Sequence, residues 1–227
     1  MLRKWEDLPE FMKTPEVRPY WEILNKKRGQ LVLKRAFDIT AGTALLVLLS
    51  PAMAVIAIAI KTDSEGPIFY RQERVTAYGK KFRIHKFRTM ISNADKIGAA
   101  VTVDNDSRIT KVGAKLRGLR LDELPQLIDV VKGDMSFVGT RPEAVEFVEQ
   151  YKPEYNATLL LPAGITSETS IRFKDEDKML DGADDADKAY VEDILPEKMK
   201  WNLQSIRTYR GTSDITTMLR TLLTVFR

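Results

Sequence analysis

The sequence predicts an α/β chain, mostly helical with a small β-hairpin or sheet, carrying one membrane-embedded helix-break-helix ahead of a polar domain. Three observations predict it. No charged side chain occurs from Ile39 to Ile60. Two strand-like segments, IFYRQERV and KKFRIHKFRTM, flank the turn residues Tyr78-Gly79. Leu124, Leu127, Ile128 and Val131 then recur at helical spacing and end at Gly133.

The apolar run sets the first element. At about 1.5 Å per residue it reaches roughly 30 Å, the thickness of a bilayer's hydrocarbon core. Ser50-Pro51 lies near its middle, and an interior proline removes one backbone hydrogen bond. Ser50 Oγ is available to the carbonyl left without its donor. Lys34 and Arg35 precede the run, and Lys61, Arg71 and Arg74 follow it. Both flanks therefore carry the basic signature of a cytoplasmic side. These signals fit a segment that enters one leaflet and turns back, and equally an ordinary kinked anchor.

Residues 1–33 are polar with scattered aromatics. Tyr20 to Leu33 is expected as a short amphipathic helix, at a membrane interface or packed on the domain. The expected organisation is an N-terminal interfacial segment over 1–33, the membrane helix over 34–61 and a domain over 62–227. The run starts too deep for a usual secretory signal and no small-residue cleavage pattern follows, so it is expected to stay in the mature chain.

Composition excludes several chemistries. There is no cysteine, hence no disulfide or thiolate zinc site. The single histidine, His85, has no G-x-S-x-G elbow to serve and reads as a strand residue. No P-loop occurs. Charge is unevenly placed: Lys61–Arg88 holds eight Lys/Arg against three Asp/Glu, and Lys174–Glu197 holds ten Asp/Glu against three Lys. A basic segment just after a membrane element suits anionic headgroups and phosphorylated ligands. Without aromatic-basic interleaving it does not suit nucleic acid. The acidic stretch reads as a solvated surface.

Beyond the hairpin, the pattern turns helical from Ser92. Thr102 to Ser107 reads as a loop, and Ile109 to Leu119 as another helix. In RLDELPQL, Pro125 is tolerable only in a helix's first turn, so Asp122 lies at or just before that helix's N-terminus. Asp122 can be simply an N-cap. Its partner Glu123 and nearby cations offer a second reading. Arg117 and Arg120 lie upstream, Lys86 and Arg88 on the second strand, and Arg141 after Gly139-Thr140. Two carboxylates among guanidiniums suit a metal-assisted phosphoryl site, in which arginines hold phosphate oxygens. The carboxylates would bind Mg²⁺ or attack phosphorus.

The chain resembles the bacterial sugar transferases, the monotopic phosphoglycosyl transferase family, from Lys34 to the C-terminus. The resemblance rests on linked motifs in order: KRAFD (Lys34–Asp38), the apolar run with Ser50-Pro51, GPIFYRQER (Gly66–Arg74) and KFRTM (Lys86–Met90). LRLDELPQL (Leu119–Leu127), KGDMSFVGTRPE (Lys132–Glu143) and YVEDILPEKMKWNL follow. It implies transfer of a sugar 1-phosphate from a UDP-sugar to polyprenol (undecaprenyl) phosphate, with release of UMP. That is the first membrane step of a bacterial polysaccharide, O-antigen or glycoprotein pathway. It further implies a cytosolic catalytic domain on the cytoplasmic face of the bacterial inner membrane, in contact with its lipids. The membrane helix is re-entrant and broken at Ser50-Pro51, and Mg²⁺ is the cofactor.

By motif, Asp122 matches the family's nucleophile and Glu123 its dyad partner, and both are candidate metal ligands. Lys86, Arg88, Arg117 and Arg141 are the phosphate-holding candidates. Arg120 is expected to face solvent or headgroups, and Asp134 to orient an arginine or cap a turn. Two departures stand out. GTRPE replaces the family's frequent GPRPE, and Pro162-Ala163-Gly164-Ile165-Thr166-Ser167 is followed by ETSIRF where PGITGxxQ is common.

Overall fold

In the computed structural model, which describes residues 2–94, 106–174, 179 and 186–225, helix α1 (Arg18–Asn25) comes first. Pro19 occupies its first turn, where a missing N–H forfeits no hydrogen bond. The helix expected from Tyr20 to Leu33 is divided, because α1 ends at Asn25 and the next helix starts at Arg28. Tyr20, Trp21 and Leu24 are buried in one cluster with Met12, Val17, Leu160, Leu203 and Ile206. The aromatics that suggested a membrane interface are core residues, since their apolar stripe meets the C-terminal part of the chain.

Helix α2 (Arg28–Asp63) runs for 36 residues. The break expected at Ser50-Pro51 is corrected: Pro51 lies inside one continuous helix. Ser50 Oγ donates to Val47 O at 2.8 Å, the carbonyl that would otherwise accept from the N–H proline lacks. Val47, Leu48, Val55 and Ile58 are exposed, yet both halves of α2 pack on the same body. On the N-terminal side Arg35 donates to Val130 O (2.6 Å) and Val131 O (2.8 Å). On the C-terminal side Met53, Ile56 and Ile60 pack with Phe87 and Leu116, and Asp63 accepts from Val112 N at 3.0 Å.

The expected hairpin forms in four short strands, β1 (Phe69–Tyr70), β2 (Glu73–Val75), β3 (Lys81–Arg83) and β4 (Lys86–Phe87). Glu73 faces Arg83, and Tyr70 faces Lys86. Ile84 N donates to Gln72 O between the two pairs, so one register runs throughout. Tyr78 (φ 61°) and Gly79 (φ 74°) make the left-handed turn. The helix expected near Ile109–Leu119 is α3 (Lys111–Gly118), capped by Thr110 Oγ1 accepting from Gly113 N at 3.0 Å. The helical pattern from Ser92 and the loop Thr102–Ser107 fall largely on 95–105, outside the described residues.

Helix α4 (Gln126–Lys132) closes at Gly133, φ 92°. Strand β5 (Met135–Val138) then pairs in parallel with β6 (Ala163–Thr166), a pair absent from the sequence expectation. Helix α5 (Val145–Val148) and a 3₁₀ stretch (Pro153–Leu160) lie between them. After β6 come α6 (Glu168–Arg172), α7 (Ala186–Ala189), a π-turn (Tyr190–Ile194), α8 (Leu195–Arg207) and α9 (Gly211–Val225). Helix α9 leaves Ile215, Leu219, Leu222 and Leu223 exposed. Of the acidic stretch, residues 175–178 and 180–185 lie outside the described residues.

Candidate active site

A single 3₁₀ turn, Leu121–Glu123, leads into α4. It follows Arg120, which holds a left-handed φ of 55°, a strained conformation for a side chain larger than glycine. Asp122 and Glu123 are only 8% and 9% exposed. Neither acts as an N-cap, because no side-chain cap bond is made at the turn or at α4.

Two cations converge on Glu123. Strand β4 brings Lys86 Nζ to 3.0 Å from Glu123 Oε1. The loop after β5 brings Arg141 Nη2 to 2.6 Å from the same oxygen. Burial pushes the Glu123 carboxyl up, but Arg141 and then Lys86 outweigh it and hold the group well below the usual carboxylate range. Asp122 goes the other way. Burial raises it, aided by the Glu123 charge, and the pull of Lys86, Arg117 and Arg141 does not cancel this. Burial likewise lowers Lys86, against the attraction of Glu123. The adjacent carboxylates are therefore unlike, one clamped as an anion and one poorly solvated.

The other candidates separate. Arg117, on α3, acts on Asp122 through its charge. Arg88 is buried, and its guanidinium donates to Ser64 O (2.6 Å) and Glu65 O (2.8 Å), tying down the chain after α2. Arg120 is exposed and reaches Lys174 O. Asp134 neither orients an arginine nor caps a turn, because its carboxylate pairs with Lys80 at 2.6 Å. His85 is buried against Asp129, with Nδ1 2.6 Å from Oδ1 and its backbone N donating to Oδ2.

Sequence reasoning did not single out Arg74, whose guanidinium reaches Pro142 O, next to Arg141, and Gln72 Oε1. Burial lowers its pKa, while the Glu143 charge opposes the shift. Its charge also acts on Lys86. The signal was present, since Arg74 belongs to the same hairpin as Lys86.

The two departures from the family pattern meet in space. Gly164 N donates to Thr140 O at 2.8 Å, and Gly139 N donates to Thr166 O at 3.0 Å. A Cβ on Gly164 would stand 2.1 Å from Gly139 N, so only glycine permits this approach. The β5–β6 ladder thus fixes the turn before Arg141, which carries Thr140 in place of a ring-stiffened proline.

Asp122 and Glu123 are the groups suited to a cation here. Among the described residues no cluster of three or more Asp, Glu or His side chains forms a metal cage. A carboxylate pair fits Mg²⁺, which is held by one or two carboxylates with substrate phosphate oxygens and water completing its octahedron.

The sequence model of the family described as bacterial sugar transferase matches residues 29–227. Over 122 residues, 54% of this chain, it is 46% identical to an Aeromonas hydrophila protein named UDP-N-acetylgalactosamine-undecaprenyl-phosphate N-acetylgalactosaminephosphotransferase, and covers 29% of that protein. It is 44% identical over 132 residues to a Bacillus subtilis protein named putative undecaprenyl-phosphate N-acetylgalactosaminyl 1-phosphate transferase, covering 58% of this chain and 74% of the relative. A Caulobacter vibrioides protein named UDP-glucose:undecaprenyl-phosphate glucose-1-phosphate transferase is 34% identical over 192 residues, covering 83% of this chain and 68% of the relative. The chain thus spans under a third of the Aeromonas protein and about 70% of the other two.

Proposed function

The chain belongs to the bacterial sugar transferase family, and from that premise we propose that it transfers a sugar 1-phosphate from a UDP-sugar to polyprenol phosphate and releases UMP. The observation that carries this reading is the pair of unlike carboxylates, Asp122 beside a Glu123 clamped by Lys86 and Arg141. A carboxylate poorly stabilised by its surroundings is the stronger nucleophile. Asp122 attacks the sugar-bearing β-phosphorus, a P–O bond forms, and the bond to the bridging oxygen breaks as UMP leaves with that electron pair. An oxygen of polyprenol phosphate then attacks the same phosphorus and displaces the Asp122 carboxylate, giving polyprenyl diphosphate sugar.

Arg141 and Lys86 lie where negative charge accumulates on the phosphoryl oxygens, and Arg117 adds to the same field. Mg²⁺, held by Asp122 and Glu123 with the diphosphate, would supply charge neutralisation. The clamp on Glu123 keeps it anionic, suited to holding that ion or to orienting the acceptor.

The packing of both halves of α2 on one body supports a placement that stays within one leaflet rather than a crossing. Full crossing would put roughly 30 Å of hydrocarbon between segments that touch the same domain. The basic flanks support the cytoplasmic face of a bacterial inner membrane.

The test is nucleotide release from nanodisc-embedded protein given Mg²⁺, undecaprenyl phosphate and UDP-glucose, UDP-galactose or UDP-N-acetylgalactosamine. UMP from one donor, lost in Asp122→Asn, is expected. UDP would mean that the sugar moves without its phosphate, and the proposal would fail.

A further inference from the structure

We infer that Lys198 is a positioning residue for this site, acting through Glu143 to hold the Arg141 guanidinium on Glu123; its kinetic consequence rests on the reaction proposed above. Lys198 lies on α8 and does not belong to the carboxylate pair. It is 4% exposed, and Glu143 is 6% exposed. Lys198 Nζ stands 3.2 Å from Glu143 Oε1 and donates to Tyr190 Oη at 2.6 Å. Side chains of these types are rarely so buried unless paired.

Glu143 follows Arg141 by two residues, with Pro142 fixing the backbone between them. The segment is gripped from two sides. Helix α8 holds the Glu143 side chain through Lys198, and β2 holds its backbone through Val75 N donating to Glu143 O at 3.1 Å. Arg74 Nη1 also reaches Pro142 O. From the segment so held, Arg141 Nη2 meets Glu123 Oε1 at 2.6 Å. Burial pushes Glu143 up, and Lys198 and then Arg74 outweigh it and keep it ionised.

The π-turn Tyr190–Ile194 immediately precedes α8. Turns of this kind inside helices recur at functional sites. Here Tyr190 presents its hydroxyl to Lys198 and its ring to Phe147, with centroids 4.7 Å apart. A buried ion pair is not needed for stability, because apolar residues of similar volume do as well or better. What the pair supplies at this position is a fixed location for the turn that carries Arg141.

The experiment compares wild type, Lys198→Met and the double variant Lys198→Met/Glu143→Gln in nanodiscs. The double variant removes both members of the Lys198–Glu143 pair, so neither is left buried without the other. Arg74, which Glu143 also faces, keeps its bonds to Gln72 Oε1 and Pro142 O. The folded state of the double variant is checked by its melting temperature beside that of wild type. Two readouts are taken: modification of Arg141 by phenylglyoxal, followed by mass spectrometry, and the kcat and donor KM for UMP release. The inference expects Arg141 in the folded double variant to react several-fold faster than in wild type. It expects kcat to fall on the order of 10²-fold with little change in KM, as for a displaced positioning group. Wild-type Arg141 reactivity and wild-type kcat in the double variant would overturn it and leave Lys198 a stability residue. A wild-type chain that releases no UMP would defeat the proposed reaction, while the Arg141 reactivity would still decide this inference.

Discussion

Arg141 Nη2 lies 2.6 Å from Glu123 Oε1, across a gap closed by two separate pieces of the fold, the loop after β5 and the turn before α4. Glu123 is therefore an anchor for cations before any substrate arrives. Arg141→Lys keeps the charge and loses the planar fork that can hold Glu123 and a phosphate oxygen together. UMP release by this variant is expected to fall about 10²–10³-fold in kcat, measured by single-turnover kinetics at saturating donor.

The two carboxylates predict opposite effects on stability. Asp122 has a raised pKa in the folded chain, so its contribution is full below the unfolded pKa and is lost as pH rises through the folded one. Asp122→Asn removes that loss. It should be more stable than wild type at pH 7 by about 1 kcal/mol, or about 2–4 °C in Tm, with the difference shrinking toward pH 4. Glu123 is depressed, so its contribution is present above its unfolded pKa and lost as pH falls. Glu123→Gln should therefore lower Tm at pH 7, and the gap should narrow in acid. Thermal melts from pH 4 to 8 in one detergent check both signs.

For α2, the bond from Ser50 Oγ to Val47 O replaces what Pro51 removes. Ser50→Ala is expected to destabilise by about 1 kcal/mol. In inverted and right-side-out vesicles, single cysteines introduced as Ala36→Cys and Thr62→Cys should react with a membrane-impermeant maleimide from the same side. Labelling from opposite sides would show that α2 crosses the bilayer.

Gly164→Ala tests the support beneath Arg141. With a Cβ 2.1 Å from Gly139 N, β6 must move away from β5. The expected result is a loss of about 1–3 kcal/mol, the size for an overpacked core site, together with reduced UMP release. Gly29→Ala, at the start of α2 where nothing lies within 4 Å, serves as the control and should lower neither, since alanine is the better helix former.

Much of this was legible where the chain signals locally. The hairpin announces itself by alternation and by Tyr78-Gly79, and α4 by Pro125 and Gly133. Lys86 and Arg141 stand out by motif as phosphate-holding candidates, but their meeting on one oxygen of Glu123 is seen only in the fold. What was not legible depends on distant partners. Tyr20 and Trp21 look interfacial until Leu203 and Ile206 cover them. The bonds from Arg88 to the carbonyls of Ser64 and Glu65, more than twenty residues upstream, have no local signal in the sequence. The parallel β5–β6 pair joins segments separated by α5 and a 3₁₀ stretch, so no local pattern specifies it. Proline at 51 reads as a break, although a neighbouring serine hydroxyl lets the helix continue.

The central claim is that Asp122 is the nucleophile, and its most direct measurement is the mass of the peptide containing it. Wild type is incubated with its UDP-sugar donor and Mg²⁺ in the absence of polyprenol phosphate, quenched in acid and digested. A sugar-phosphate adduct on Asp122, discharged when undecaprenyl phosphate is added and absent in Asp122→Asn, is the predicted result. UMP release at full rate with no adduct on Asp122 at any quench time would contradict the account, because phosphorus would then pass from donor to acceptor without resting on the enzyme.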